Sequence, residues 1–166
     1  EDAAALLEYL KIIGGETDNL SFGPEGVPLD EKTERAYLAM QAESHDNIQL
    51  LAKVNGEIIG TASLNRKPNR MHHRAEFGIS LKKAWWGCGA ATVLAHGVLD
   101  FAREAGIEQV NLEVRSDNKR AIAFYKKLGF CKLCTFPDFF RIKGEPVDFD
   151  FMYLDLCAAV QNNEAL

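Results

Sequence analysis

Residues 84–106 read AWWGCGAATVLAHGVLDFAREAG, which joins two tryptophans and a glycine-rich turn to a helical pattern without Asp, Glu, Lys or Arg before Asp100. The uncharged part is shorter than the ~20 apolar residues that span a bilayer, and glycines interrupt it. Another glycine, Gly106, follows the last helical position and is typical of a helix end. The stretch therefore predicts a buried helix of a globular protein that begins directly behind a glycine loop.

The glycine loop has the composition of a phosphate-binding site. A helix N-terminus carries about half a positive charge and up to four unpaired N–H groups, so it attracts phosphate. Gly87 and Gly89 lack side chains that would keep a diphosphate away from the backbone, and small Ala90 and Ala91 leave the first helical turn open. The alternative is a tight strand-to-helix turn that needs glycine only for its own geometry.

A dinucleotide-binding loop is a second alternative for the same residues. Gly87, Gly89 and Thr92 approximate GxGxxG, and Glu113 lies about 20 residues further on, where a ribose-binding acid is found. The match is imperfect because threonine replaces the third glycine and because the loop does not open a βαβ repeat. A Walker loop is excluded, since no Gly-Lys-Ser/Thr follows.

Two helices are predicted before the first strand. Apolar residues at helical spacing indicate a helix that begins near Asp2 and stops at Gly14 and Gly15, and Asp30 is suited to cap a second helix running to about Ser44. In the helix behind the glycine loop, the predicted apolar stripe consists of Val93, Leu94, Val98 and Phe101.

A change to β-rich patterns follows the second helix. Asn55-Gly56 separates the apolar runs 47–54 and 57–65, and this dipeptide is the strongest short-range signal for a hairpin because both positions tolerate a positive φ. A third run, 73–81, extends the hairpin to an antiparallel meander.

The remaining elements complete an α/β pattern. A strand over 109–114 precedes a polar SDN at 116–118, which is suited to cap a helix over 119–128, and strands are predicted at 130–136 and 147–156. The order αα-βββ-α-β-α-ββ predicts one α/β domain over residues 1–166, with a mixed, mostly antiparallel central sheet flanked by helices. In the last strand Asp148 and Asp150 alternate with apolar residues. A solvated face explains this alternation, and attraction of a cationic amine is the alternative.

Composition narrows the function classes. The 166 residues include 19 basic and 24 acidic side chains, a net charge of -5, which argues against non-specific nucleic-acid binding and favours a neutral or cationic small substrate. Four scattered cysteines fit a reducing cytoplasm. Cys131 and Cys134 form a CxxC, but no second pair completes a zinc site, so no metal is expected. No secretory signal is visible; the sequence starts at Glu1 without a methionine, and a cytoplasmic location is therefore assigned by default.

The element order and two local motifs resemble the GNAT superfamily of acetyl-CoA-dependent N-acetyltransferases, in particular its small bacterial members. The resemblance is strongest over residues 75–130. The family's Gln/Arg-x-x-Gly-x-Gly/Ala loop corresponds to WGCGAA at 86–91, where Trp86 departs from the usual Gln or Arg. The more specific motif is Asn118-x-x-Ala121-x-x-x-Tyr125, followed by Leu-Gly-Phe. The resemblance also implies that a first strand is missing before residue 1.

The resemblance implies a cofactor site for acetyl-CoA and no metal. The pyrophosphate is expected on the amides of the glycine loop, and the pantetheine is expected to add like a short strand along the backbone near Ile79 to Leu81, with a hydrogen bond from Asn118. The implied cofactor-binding residues are Ile79, Leu81, Trp86, Gly87, Cys88, Gly89, Ala90, Ala91, Thr92 and Asn118.

Two side chains are expected to move protons while an amine attacks the thioester directly. Tyr125 is the candidate donor to the leaving thiolate, because a phenol with a reference pKa near 10 stays protonated at neutral pH. The alternative is that Tyr125 only packs with Phe124 and Leu128. Glu76 is the candidate base, directly or through water. Cys88, at a helix N-terminus, is a weaker candidate nucleophile, since the resemblance requires only its amide.

The acceptor amine is not identified by the sequence. The acceptor pocket is expected from variable parts of the chain, namely the N-terminal helices, the loop 21–30 and the segment 136–150, which resembles family members acting on small molecules or protein N-termini. A non-catalytic acyl-CoA sensor and a nicotinamide oxidoreductase remain as alternative functions. A homodimer is expected only by analogy to the family.

Overall fold

The computed structural model describes residues 2–157 and contains the predicted elements in the predicted order. The helices are α1 (Ala3–Glu16), α2 (Glu31–Ala42), α3 (Ala90–Glu104) and α4 (Lys119–Lys127). The strands are β1 (Asn47–Val54), β2 (Glu57–Arg66), β3 (Arg74–Leu81), β4 (Gln109–Arg115), β5 (Cys131–Ile142) and β6 (Glu145–Asp155). None of the helices within these residues is long and apolar enough to cross a membrane.

The six strands follow the order β1-β2-β3-β4-β6-β5 in a mixed sheet. The pairs β1–β2, β4–β6 and β5–β6 are antiparallel, whereas β3 and β4 are parallel from Arg74 opposite Gln109 to Glu76 opposite Asn111. The predicted mixed, mostly antiparallel sheet with helices is therefore confirmed. The predicted hairpin is confirmed as well, because Asn55 and Gly56 adopt positive φ values of 51° and 84° between β1 and β2.

The described chain divides into two compact units. The first contains the chain up to Asn65 together with Gly78–Ala105, and the second contains Arg66–Phe77 and the chain from Gly106 onward. In the first unit, α1 packs Leu6, Tyr9 and Ile13 against Ile58 of β2. In the second, the buried side chains come mainly from β4 and β6; the largest fully buried ones are Leu112, Met152 and Val110.

The start of α1 agrees with the prediction, whereas its end differs. The helix continues through Gly14 and Gly15 to Glu16. These glycines do not terminate it; a Cβ on Gly14 would lie 2.0 Å from the carbonyl oxygen of Gly23, so Gly14 permits a close backbone approach. Asp2 precedes the helix but makes no side-chain cap, because its carboxylate lies 2.6 Å from Lys53 Nζ.

The predicted apolar stripe of α3 is wrong at one position. Val93 is 74% exposed, whereas the buried residues of the helix are Leu94, Ala95, Val98, Leu99 and Ala102. The buried face is thus centred between Leu94 and Leu99, and Val93 falls one residue outside it.

Candidate active site

The glycine loop in the first unit connects β3 to α3. Gly87 and Gly89 have φ values of 84° and 92°, in the left-handed region where a side chain is strained. Gly89 is the N-cap of α3 and provides no side chain for the first-turn amides, and a Cβ built on it meets nothing within 4 Å. The loop therefore needs glycine for its turn, and the space beside the Gly89 Cα is open; the phosphate-binding interpretation stays a prediction.

The amides expected to meet a diphosphate differ in their partners. The N–H groups of Ala90 and Ala91 belong to the first turn of α3, where no intrahelical acceptor exists. The Thr92 N–H donates instead to the Gly89 carbonyl at 3.0 Å. Cys88 is exposed, and its thiol donates to the Trp85 carbonyl at 3.0 Å. The available donors are thus concentrated at the beginning of α3.

Trp86 has a structural partner that explains its departure from the family pattern. Its indole N–H donates to the backbone carbonyl of Leu81 at 3.0 Å, which closes the loop back onto the end of β3. Leu81 is one of the backbone positions where pantetheine is expected. A Gln or Arg in place of Trp86 would supply a donor on a more flexible side chain.

Helix α1 holds the strand end from which the loop begins. Glu16 accepts a hydrogen bond from the Lys83 backbone N–H at 2.7 Å. Lys82 is buried, pairs with Glu57 and lies with its Nζ 6.0 Å from the centre of the Tyr9 ring. The Tyr9 hydroxyl lies 2.9 Å from Ser80 Oγ. Sequence reasoning missed these contacts, because Tyr9 reads only as one more apolar residue of an amphipathic helix.

The candidate base Glu76 lies in the second unit and carries a cationic partner. Its carboxylate pairs with Lys67 Nζ, and the Glu76 side chain is 44% exposed. Glu113 of β4 interacts with both groups. Partial burial raises the pKa of the Glu113 carboxyl, the Glu76 charge raises it further, and Lys67 partly opposes both effects. Glu113, which the sequence singled out only as a ribose-binding acid, is therefore a second candidate base.

Tyr125 lies in an apolar aromatic environment of the second unit. Its ring contacts Phe77 and Phe130, with ring centres 6.3 and 6.0 Å away, and Phe124 at 5.6 Å. Tyr125 is 8% exposed, and burial raises its pKa to about 12. Tyr125 thus packs in the core as the alternative interpretation expects, and a role for its hydroxyl group stays a prediction. The hydroxyl remains protonated at any physiological pH.

Asn118 caps α4 as the sequence predicts. Its side-chain oxygen accepts a hydrogen bond from the Ala121 N–H at 3.2 Å. The cap uses the carbonyl half of the amide, so the Nδ2 group is the part of Asn118 suited to donate to a ligand.

The expectation of a solvated face for the last strand is wrong for Asp150. This residue is 4% exposed, and its carboxylate accepts hydrogen bonds from Thr135 of β5 and from Ser116, which follows β4. Because β6 is an interior strand between β4 and β5, partners on β5 and directly after β4 lie within reach of the Asp150 carboxylate. Asp148 accepts from the Asp138 backbone N–H at 3.0 Å. Across residues 2–157, no group of three or more His, Cys, Asp or Glu side chains is placed to hold a metal ion.

The comparison with known proteins covers the glycine loop and both helices that follow it. Residues 16–130 match the sequence model of the acetyltransferase (GNAT) family. The chain belongs to the GNAT acetyltransferase family. The resemblance predicted from the glycine loop and the Asn118–Tyr125 motif is therefore confirmed, and nothing favours the nicotinamide or sensor alternatives.

Two characterised relatives and one solved structure illustrate the range of this GNAT protein's similarity. It is 32% identical over 107 residues to the L-amino acid N-acetyltransferase AaaT of Escherichia coli (strain K12), covering 63% of this chain and 65% of that protein. It is 30% identical over 116 residues to the N-alpha-acetyltransferase RimI of Mycobacterium tuberculosis, covering 69% and 72%. The structure of yncA from Salmonella typhimurium with its cofactor acetyl-CoA superposes with a TM-score of 0.79 at 25% identity, over 93% of this chain and 88% of that chain. The match thus spans slightly less than two thirds of AaaT.

Proposed function

We propose that this protein transfers the acetyl group of acetyl-CoA to a primary amine by direct attack of the amine in a ternary complex. The observation that carries this proposal is the beginning of α3, where Gly89 provides no side-chain cap for the first-turn amides and a Cβ on it would meet nothing within 4 Å. A diphosphate fits such a helix N-terminus by charge and by hydrogen bonding. Acetyl-CoA would supply the activated acetyl thioester.

We assign the binding of the cofactor to backbone groups more than to side chains. The amides of residues 87–91 would hold the pyrophosphate. The Thr92 amide would donate to it only after giving up its hydrogen bond to the Gly89 carbonyl. The backbone at Ile79 and Leu81 would hold the pantetheine, and the Asn118 amide would donate to the same arm. Trp86 contributes by fixing the Leu81 carbonyl.

Tyr125 is proposed to donate to the leaving sulfur. A phenol with a pKa of about 12 is a weaker acid than the reference tyrosine, so complete transfer to a thiolate in water would be unfavourable. The apolar surroundings that raise the pKa of Tyr125 also raise the pKa of a thiol bound beside it. The difference between the pKa values of the phenol and the thiol is therefore smaller than the raised tyrosine value alone indicates. Tyr125 therefore acts first as a hydrogen-bond donor to the developing charge on sulfur.

The proton of the amine is proposed to leave through the carboxylates of Glu76 and Glu113. Lys67 pairs with Glu76, whereas partial burial and the neighbouring Glu76 charge raise the pKa of Glu113, which makes the Glu113 carboxylate a better proton acceptor. Glu76 remains the base predicted from the sequence, and Glu113 is the alternative that the electrostatics favour.

The acceptor is proposed to carry an α-amino group. One of the relatives above is named for L-amino acids and the other for N-alpha acetylation, and both activities concern an amine on an α-carbon. We also propose that the chain acts as a single catalytic domain in the cytoplasm, where its four unpaired cysteines would stay reduced. Assays with L-amino acids and with short peptides, each compared with its N-terminally blocked form, would test the acceptor class.

Calorimetric titration with acetyl-CoA tests the cofactor site directly, with NAD and inorganic phosphate as controls. Gly89→Asp places a negative side chain in front of the helix and should abolish saturable binding. Gly56→Asp is the matched control, because Gly56 has a φ of 84° and equally open surroundings but lies in the β1–β2 turn. Equal binding by wild type and Gly89→Asp, or no binding by the folded wild type, would refute the proposed function.

A further inference from the structure

Asp150 is a buried carboxylate that the proposed chemistry does not use. It lies on β6 opposite Val114 of β4 and Thr135 of β5, and its side chain is 5% exposed. One of its oxygens, Oδ1, accepts three hydrogen bonds, from Ser116 Oγ at 2.7 Å, Thr135 Oγ1 at 2.8 Å and Lys132 Nζ at 2.8 Å. The carboxylate thus joins two strands to the loop that follows β4.

The charge of Asp150 is maintained by these partners. Burial alone would raise the pKa of the carboxyl, but the hydrogen bonds from Lys132, Ser116 and Thr135 hold it below its ordinary value. A buried ion pair is weak evidence for stability, since an apolar side chain of similar size is often equally stable in its place. Phe149 and Met152, which flank Asp150 on β6, are buried apolar residues of that kind. Stability alone therefore does not account for an acid at this position, and we consider which part of the structure its hydrogen bonds hold in place.

The loop held by Asp150 is the one that presents Asn118. The Ser116 backbone N–H donates to the Asp148 carbonyl at 3.0 Å, so β6 binds Ser116 through both its backbone and its hydroxyl. Two residues later, the Asn118 N–H donates to the Arg115 carbonyl at 3.0 Å, and the Asn118 side chain caps α4. Ser116 and Asn118 therefore belong to one short turn, in which Ser116 is bound by β6 and Asn118 by the Arg115 carbonyl.

We propose that Asp150 is a positioning residue for Asn118, acting through the Ser116 hydroxyl to fix the β4–α4 loop for binding of the pantetheine arm. The inference rests on the proposed acetyl-CoA function. It assigns a role to a residue that touches neither the cofactor nor the reacting atoms, and it predicts that the loop-side hydrogen bond matters for cofactor binding while the β5-side bond does not.

Two single substitutions separate positioning from general stabilisation. Ser116→Ala and Thr135→Val each remove one hydroxyl donor from the same Asp150 oxygen, but only Ser116 lies in the loop. Ser116→Ala should raise the KM for acetyl-CoA about tenfold, as expected for loss of an ordered hydrogen bond, with kcat changed less than twofold. Thr135→Val should leave this KM within twofold. Both substitutions should lower the melting temperature by similar amounts, because each removes one hydrogen bond to the same oxygen.

A double-mutant cycle with Asn118→Ala tests the route through Asn118. If Ser116 acts by directing Asn118, adding Ser116→Ala to Asn118→Ala should raise KM no further. Equal KM changes in Ser116→Ala and Thr135→Val, no change in either, or additive effects with Asn118→Ala would overturn the inference. Failure of the wild type to bind acetyl-CoA would instead overturn the proposed function, so the two failures are distinguishable.

Discussion

The hydroxyl of Tyr9 lies 2.9 Å from Ser80 Oγ and joins α1 to the strand that leads into the glycine loop. Tyr9 is 1% exposed, so this hydrogen bond forms inside the core of the first unit. Ser80 lies between the two backbone positions assigned to pantetheine, Ile79 and Leu81. The helix therefore supports a strand whose backbone groups are proposed to bind pantetheine.

Tyr9→Phe should weaken both the fold and the cofactor site. The ring is retained, so the loss is that of one buried hydrogen bond, about 0.5–1.5 kcal/mol in the free energy of unfolding measured with urea. The KM for acetyl-CoA should rise a fewfold because β3 loses its support. Ser80→Ala removes the same bond from the other side and should match it; a variant pair with unchanged stability and KM would contradict the assigned role.

Alkaline pH should destabilise the protein through its two buried tyrosines. Burial raises the pKa of both Tyr9 and Tyr125 to about 12, above the unfolded value near 10. Below pH 10 both states are protonated and the stability is fully present; as pH rises from 10 to 12 only the unfolded state loses protons, so stability falls. The slope should be at most ~1.4 kcal/mol per pH unit for each tyrosine. Urea titrations between pH 9 and 12 would measure it, and Tyr9→Phe should flatten it by half.

Substitutions around Glu113 should shift the acid limb of the pH–rate profile in opposite directions. If Glu113 is the base, kcat/KM falls as pH drops through its raised pKa. Glu76→Gln removes a charge that raises this pKa, so the limb should move to lower pH. Lys67→Met removes a charge that lowers the pKa, and the limb should move to higher pH.

Loss of the acid limb identifies which carboxylate is the base. Glu113→Gln should lower kcat by ~10²–10⁴ and abolish the limb. The same loss in Glu76→Gln, with Glu113→Gln unaffected, would return the role to Glu76.

Tyr125→Phe should lower kcat by ~10²–10⁴ while acetyl-CoA binding stays near the wild-type level, because the ring contacts with Phe77 and Phe130 are retained. Steady-state kinetics and calorimetry would measure the two quantities separately. A kcat within about threefold of the wild type would leave Tyr125 as a packing residue only.

Local sequence patterns predicted most of the fold because their causes are local. The Asn55-Gly56 turn and the Asp30 and Asn118 caps depend on neighbouring residues, and all three form as expected. The predicted end of α1 is wrong because Gly14 does not stop the helix. Its missing side chain instead allows the close approach of the Gly23 backbone, and this contact cannot be read from the residues around Gly14.

The candidate site was predictable only where backbone conformation determines it. Gly87 and Gly89 indicate a turn and an open helix N-terminus from sequence alone. The pairing of Lys67 with Glu76 and the burial of Asp150 depend on which strands become neighbours, and strand order is set by packing across the whole sheet. The hydrophobic periodicity of the sequence therefore could not predict which side chains become partners across neighbouring strands.

The exposed thiol of Cys88 makes the glycine loop a chemical footprinting site. Cys88 lies next to the Gly89 amide, so a diphosphate bound there would shield its sulfur from an alkylating reagent. Replacing Cys131, Cys134 and Cys157 by serine would leave a single reporter thiol. Its labelling rate, followed by mass spectrometry, would read out loop occupancy without turnover and without knowledge of the acceptor amine.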